Sequence, residues 1–343
     1  LKRNIVLSIK IAFAYVGTVI GAGFASGQEI LRFFTVYGKY SVFSIMLVAF
    51  LFVCVGIRVL RVGFELSAGS FRDAIRLVFG SLSPLVNAYL LLAIVMVAAA
   101  MLAGAGALLA EYIRLPVYMG MSVTAVIVGV FAAFGLKGIF AINAWIVPGI
   151  LTFNVLVFIY SLMAGDSTFE VMPVFDVTLF DIIKTGVSYA SFNIVLAMGV
   201  LTSVGCKVKD LRVLKVGGVL GGIILGTMLL MGNYSLMRCI PEVYEFEIPM
   251  LYIVRRMGYF FGAAFAIVMW GAIITTLVSN VFSVACAASD IFKLPMRMAL
   301  FVTIIVCAVL SLIGFSRMVT FVYPLLGMIG FIVILVMFFL VKK

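Results

Sequence analysis

The chain has 343 residues, of which 66% are hydrophobic and 11% charged, and its mean hydropathy is +1.33. An ordinary soluble domain is roughly 45–50% apolar and about 25% charged, so this composition sets aside a soluble enzyme, a secreted disulfide scaffold and a nucleic-acid-binding domain. The formal charge of +11 at pH 7 then calls for a topological explanation, and the absence of histidine removes the usual proton shuttle and transition-metal ligand.

In chain order, apolar runs long enough to cross a bilayer fall near 6–36, 40–63, 81–111, 117–136 and 139–164. A second set falls near 178–204, 212–237, 258–289, 297–315 and 318–340. The expected fold class is an all-α membrane protein with ten transmembrane helices and both termini on one side. The first run continues into a glycine-rich segment instead of a small-residue cleavage site, so it reads as a span and not as a cleaved signal. Placing the termini in the cytoplasm assigns sixteen of the 24 Lys and Arg to inner segments and eight to outer ones. That is the positive-inside pattern. The basic excess follows from topology, and no nucleic-acid partner is expected. Arg72 and Arg76, one turn apart, are expected to meet lipid headgroups of the inner leaflet. The five cysteines (Cys54, Cys206, Cys239, Cys286, Cys307) contain no CxxC pair, which disfavours a disulfide framework and a zinc site.

The interruptions between spans repeat. SFRDAIRLVFG follows the second span on the inner side, and IPMLYIVRRMG follows the seventh on the outer side. Five spans per set is an odd number, so a second set enters the membrane from the opposite face. The expected plan is a 5+5 inverted repeat, with 1–164 as the first half, 165–177 as linker and 178–343 as the second half.

The first span holds GTVIGAGFASG, with glycines at 17, 21, 23 and 27. Each glycine weakens a helix by about 1 kcal/mol relative to alanine. Irregular backbone at membrane depth persists only where it is buried in protein or lines a wet cavity. A break near Ile20–Gly23 would turn the amides of the outer half toward an anionic group and leave carbonyls of the inner half for a cation. The alternative is close packing of small residues. The third span offers Ala98, Ala99, Ala100, Ala103, Gly104 and Gly106, which read equally as a smooth cavity wall or as a packed face. The sixth carries GVSYASFN, whose Ser188, Tyr189, Ser191 and Asn193 either mark a solute path or bond back to the helix. The seventh, VGGVLGGIILG, reads as a packing stripe. The eighth places Thr276 one turn from Asn280 and Thr275 one turn from Ser279, an oxygen set suited to a monovalent cation or to interhelical hydrogen bonds.

Gly17–Gly23 resembles the unwound first helix of the LeuT-fold transporters of the amino acid–polyamine–organocation superfamily, and AYVGTVIGAGFASGQE resembles the bacterial YkvI-like membrane proteins. The resemblance implies broken first and sixth helices and a location in the bacterial inner membrane. It also implies a sodium site made of the Gly17 and Ile20 carbonyls with Ala272, Thr275 and Thr276, matching an Ala-x-x-(Ser/Thr)-(Ser/Thr) pattern. Solute would lie beside the breaks, against Gly21, Ala22, Gly23, Phe24, Gly104, Ser188, Tyr189, Ser191 and Asn193. No arginine directly follows the unwound stretch, where one branch of the superfamily has it; Gly27, Gln28 and Glu29 stand there. The fifth span has no lysine to replace sodium. Glu29 is read either as a titrating group or, preferably, as an ion-pair partner of Arg32 near the outer interface.

The expected function is a secondary active transporter using Na+ as coupling ion for a small organic solute, an amino acid or related carboxylate or zwitterion. A nutrient-sensing receptor subunit of the same fold and a proton-coupled transporter are the alternatives. A membrane enzyme is disfavoured, since the sequence has no metal-ligand cluster and no paired intramembrane carboxylates.

Overall fold

The computed structural model describes residues 2–66, 71–134, 139–164 and 177–340. The proposed linker falls outside these residues except at its last position, and the side chain of Arg72 is likewise outside them.

The described chain is helical almost throughout. The first expected span comprises three helices, α1 (Lys2–Val19), α2 (Ala22–Ser26) and α3 (Gln28–Phe33). A 3-10 segment, Thr35–Tyr40, leads into α4 (Ser41–Leu66). Then follow α5 (Phe71–Phe79), α6 (Ser83–Ile113), α7 (Val117–Phe134) and α8 (Ile139–Met163). The second part holds α9 (Leu179–Lys207), α10 (Leu211–Met237), α11 (Pro249–Met257), α12 (Tyr259–Phe292) and α13 (Met296–Ser311). It ends with a single turn α14 (Phe315–Arg317), a π-helical turn Met318–Val322, and α15 (Tyr323–Leu340). Among the described residues, seven helices are long and apolar enough to cross a membrane. Three shorter apolar helices, Asn4–Val19, Val117–Ala133 and Met296–Ser311, correspond to the first, fourth and ninth expected spans. The short amphipathic stretches read in the sequence form α5 and α11.

The expected break in the sixth span is corrected: α9 runs without interruption from Leu179 to Lys207. Its polar groups find partners without unwinding. Ser188 Oγ donates to the Pro324 carbonyl (2.8 Å) and Asn193 Nδ2 to the Tyr189 carbonyl (3.0 Å). A capping box between Thr178 and Asp181 fixes the start of the helix.

Two groups of helices make the molecule. In the first, α1 and α4 each pack on both α9 and α10. In the second, α6, α7, α12 and α13 all pack on one another. α8 touches α10 and α12, and α15 lies along α9. Glycine allows the close approaches of the first group. The α10 stripe presents Gly217 and Gly221 to Ile11 and Tyr15 of α1, and Gly218, Gly222 and Gly226 to Ile57, Val53 and Ala49 of α4. This is the packing role read from the sequence. The short α2 reaches across to both α6 and α12, so the interruption in the first helix lies where the two groups meet.

Candidate functional site

The interruption builds the site. Ile20 still donates to the Val16 carbonyl (2.8 Å), but the Gly21 amide turns to the Val19 carbonyl (3.0 Å) instead of reaching back to Gly17. The Gly17 carbonyl thereby loses its regular helical donor. Gly21 is extended (φ −108°, ψ −170°), and its carbonyl accepts from Ala25 (3.0 Å), which restarts the helix. Beside this break lies a cavity of about 190 Å³.

Gly21, Ala22 and Gly23 border the cavity on one side, with Thr18 and Val19 from the end of α1. Asn193 borders it from α9, next to Phe192 and Leu196. Thr276 and Asn280 border it from α12, one turn apart on one helix face. From α6 the wall is Ile94, Val97 and Met101. Tyr323, at the start of α15, completes it with its ring 4.4 Å from that of Phe192.

Several expected site residues face elsewhere. Phe24 is turned toward α8 and α11, beside Ile150 and Phe153 of the first and Met250 of the second. Ser188 and the Ser191 carbonyl face α15, where Gly327 and Gly330 make room for them. Gly104 backs onto the Phe315 ring and Gly106 onto α7, and the α6 residues that border the cavity are the bulkier Ile94, Val97 and Met101. Tyr189 is fully buried behind the cavity, its ring 5.0 Å from Phe33 and 4.9 Å from Phe34. Of the expected ion ligands, Ile20, Ala272 and Thr275 are buried, and Thr275 Oγ1 donates to the Ala272 carbonyl (3.1 Å). Gly17 packs beside Val147.

Glu29 was not among the expected cavity residues, yet it lines the cavity. Gly27, left-handed at φ +78°, ends α2 and starts α3 on a new heading that carries Glu29 inward. The carboxylate is buried, lies against Gly23, and accepts from Tyr189 Oη (3.3 Å). The expected ion pair with Arg32 is not made. Arg32 Nη2 donates to Ser316 Oγ (3.0 Å) instead. A carboxylate inside an apolar span is itself a functional signal, and that signal was present in the sequence. Tyr323 gave none, being one aromatic residue among many.

A polar network closes the α3 end of the site. Ser316 Oγ accepts from Gln28 Nε2 (2.6 Å) as well as from Arg32, and the Ser316 amide donates to Glu247 Oε2 (2.7 Å). The Glu247 amide in turn donates to Glu111 Oε1 (2.7 Å), whose own carbonyl accepts from Arg255 Nη1 (3.0 Å). These bonds tie α3, α14, the approach to α11 and the end of α6 together.

A break in the first helix held between two interlocked helix groups is the architecture of the LeuT-fold transporters, and solved structures match it. MhsT in complex with L-phenylalanine matches with a TM-score of 0.69, over 94% of this chain and 87% of that one, at 16% identity. Mhp1, a nucleobase-cation-symport-1 family transporter, in a closed conformation with bromovinylhydantoin bound, matches with a TM-score of 0.62 over 93% and 74%, at 14% identity. At these identities the likeness is one of fold. No protein-family model matches the chain. In sequence it is YkvI-like: it is 27% identical over 322 residues to the membrane protein YkvI of Bacillus subtilis (strain 168), covering 94% of this chain and 92% of that protein. The chain is thus a multi-pass membrane protein with the LeuT fold.

Proposed function

We propose that the chain is a secondary active transporter of the bacterial inner membrane, with both termini cytoplasmic, in which Na+ drives symport of a small organic solute. The observation that carries this reading is the cavity at the α1–α2 break, bordered by both helix groups. A solute held there touches elements that can move against each other, as alternating access requires. MhsT holds L-phenylalanine and Mhp1 holds bromovinylhydantoin, which supports a solute of modest size. The α6 wall and the Phe192 and Tyr323 rings suit an amino acid, or a related carboxylate or zwitterion, with an apolar side chain.

The ten spans are read as a 5+5 inverted repeat. α5 follows the second and α11 the seventh span, which supports equivalent halves that enter from opposite faces. For the ion, the donor set is all oxygen and without a carboxylate: the carbonyls of Gly17 and Ile20 with Ala272, Thr275 and Thr276. The freed Gly17 carbonyl and the cavity-facing Thr276 support that set. Sodium then acts by favouring one conformation over another. In proteoliposomes, an inward sodium gradient is expected to drive accumulation of a solute identified by thermal-shift screening against amino acids. Binding with no flux under any ion gradient overturns the transporter reading in favour of a receptor subunit.

A further inference from the structure

The cavity carries one sign of charge. Among the described residues that line it, Glu29 is the only carboxylate and none is basic. The nearest candidate counter-ion in sequence, Arg32, is committed to Ser316. Glu29 receives one long hydrogen bond, from Tyr189 Oη at 3.3 Å, and its other oxygen rests against Gly23. A carboxylate so enclosed keeps its charge only beside a cation. Tyr323 makes a second, independent observation. It is 1% exposed, borders the same cavity, and its hydroxyl has no hydrogen-bond partner. Tyr323 Oη is therefore a buried hydroxyl with unused hydrogen-bonding capacity beside the cavity, and an unmet polar group is costly. The same cavity has an apolar portion formed by Ile94, Val97, Met101 and Leu196.

We propose that Glu29 and Tyr323 form the recognition site for a protonated primary amine on the solute. The carboxylate takes the ammonium charge, the phenol oxygen accepts one of its N–H bonds, and the apolar wall takes the carbon skeleton. Glu29 is the specificity-determining residue: a solute lacking the ammonium group forfeits the ion pair, and an anionic one places a second negative charge beside the carboxylate. This rests on reading the cavity as the solute site, and it narrows the solute class to amine-bearing compounds.

The test is equilibrium binding in detergent, with no ion gradient. Purified protein is titrated with propylamine, isoamylamine, benzylamine and phenethylamine, each beside the carboxylate of matching skeleton, and with the corresponding amino acids. Stabilisation by amine-bearing probes and none by the amine-free carboxylates is expected. Glu29→Gln is expected to weaken amine binding by about tenfold to a hundredfold, the range for a lost hydrogen bond to a charged group. Glu29→Asp keeps the charge and is expected to retain binding in part, and Tyr323→Phe to lose less than Glu29→Gln. Equal binding of amine and carboxylate probes by the unaltered protein overturns the proposal without any variant, as does absence of binding by every amine. Undiminished amine binding in Glu29→Gln overturns it too, as does a Glu29 that exchanges only protons with solvent and leaves amine affinity unchanged. Glu29-dependent amine binding without flux would remove the transporter reading and leave this one standing. Sodium-driven uptake of an amine-free solute, undiminished in Glu29→Gln, would do the reverse.

Discussion

Glu29 and Gly23 share one space: the carboxylate of Glu29 fills the position that a side chain on Gly23 would occupy. The obstacle to Gly23→Ala is therefore the far end of a flexible side chain, not backbone. Alanine also favours α2 by about 1 kcal/mol, so thermal stability is expected to change by less than about 1 kcal/mol. Ligand binding is expected to fall about tenfold, because the methyl pushes the carboxylate out of position. A thermodynamic cycle with Glu29→Ala checks this: the two changes should couple strongly in binding, and a purely additive result would separate the residues.

The two threonines of α12 have different surroundings. Thr275 is buried with its hydroxyl on the Ala272 carbonyl, whereas Thr276 borders the cavity. Thr275→Val is expected to cost about 1 kcal/mol of stability, the net worth of a buried hydrogen bond. Thr276→Ala is expected to leave the apo protein's stability nearly unchanged and to raise the sodium concentration needed for stabilisation by about tenfold, or about 1.4 kcal/mol. Full sodium dependence in Thr276→Ala would exclude that hydroxyl from the ion site.

Ser316 joins four partners at once: its Oγ accepts from Gln28 and Arg32, its amide donates to Glu247 and its carbonyl accepts from Thr320. Ser316→Ala removes the acceptor and leaves both donors without a partner, while the backbone bond to Glu247 remains. Each lost bond is worth about 1 kcal/mol, or roughly a fivefold change in an opening equilibrium. Amide hydrogen exchange in 28–33 and 249–257 should accelerate to that degree, with α4 and α10 unaffected.

How much of this was legible beforehand varied with the physics. The packing stripe of α10 was readable because glycine at every fourth residue has one economical meaning, and Gly218, Gly222 and Gly226 do lie on α4. The break in the first span was readable for a similar reason, yet its glycines turn out to have separate tasks. Gly21 is extended and has open space beside it, Gly23 yields to Glu29, and Gly27 alone needs positive φ. Composition cannot divide those roles. The sixth span stays unbroken because, of the two readings open for its polar residues, bonding to backbone holds for Ser188, on the Pro324 carbonyl, and for Asn193, on the Tyr189 carbonyl one turn back, while Asn193 also borders the cavity. The pairing of Glu29 with Arg32 misled because sequence spacing assumes one straight helix, and the turn at Gly27 removes that premise. Tyr323 reaches the cavity from the far end of the chain, a contact that no local pattern encodes.

The crossing of α4 and α9 is a tight backbone-to-backbone contact of the first helix group. A methyl on Gly205 would overlap the Leu60 carbonyl oxygen, and one on Gly63 would overlap that of Thr202. Both obstacles are backbone, and each helix would have to move off the other to admit a side chain. Gly205→Ala is expected to cost about 1–3 kcal/mol, as overpacking of a filled interface does. Gly21→Ala serves as the contrast, because nothing lies within 4 Å of the added methyl and the extended backbone there accepts any residue. Thermal unfolding of the two variants should therefore separate clearly, with Gly205→Ala well below the parent and Gly21→Ala close to it. If Gly205→Ala unfolds with the parent, α4 and α9 do not cross backbone to backbone.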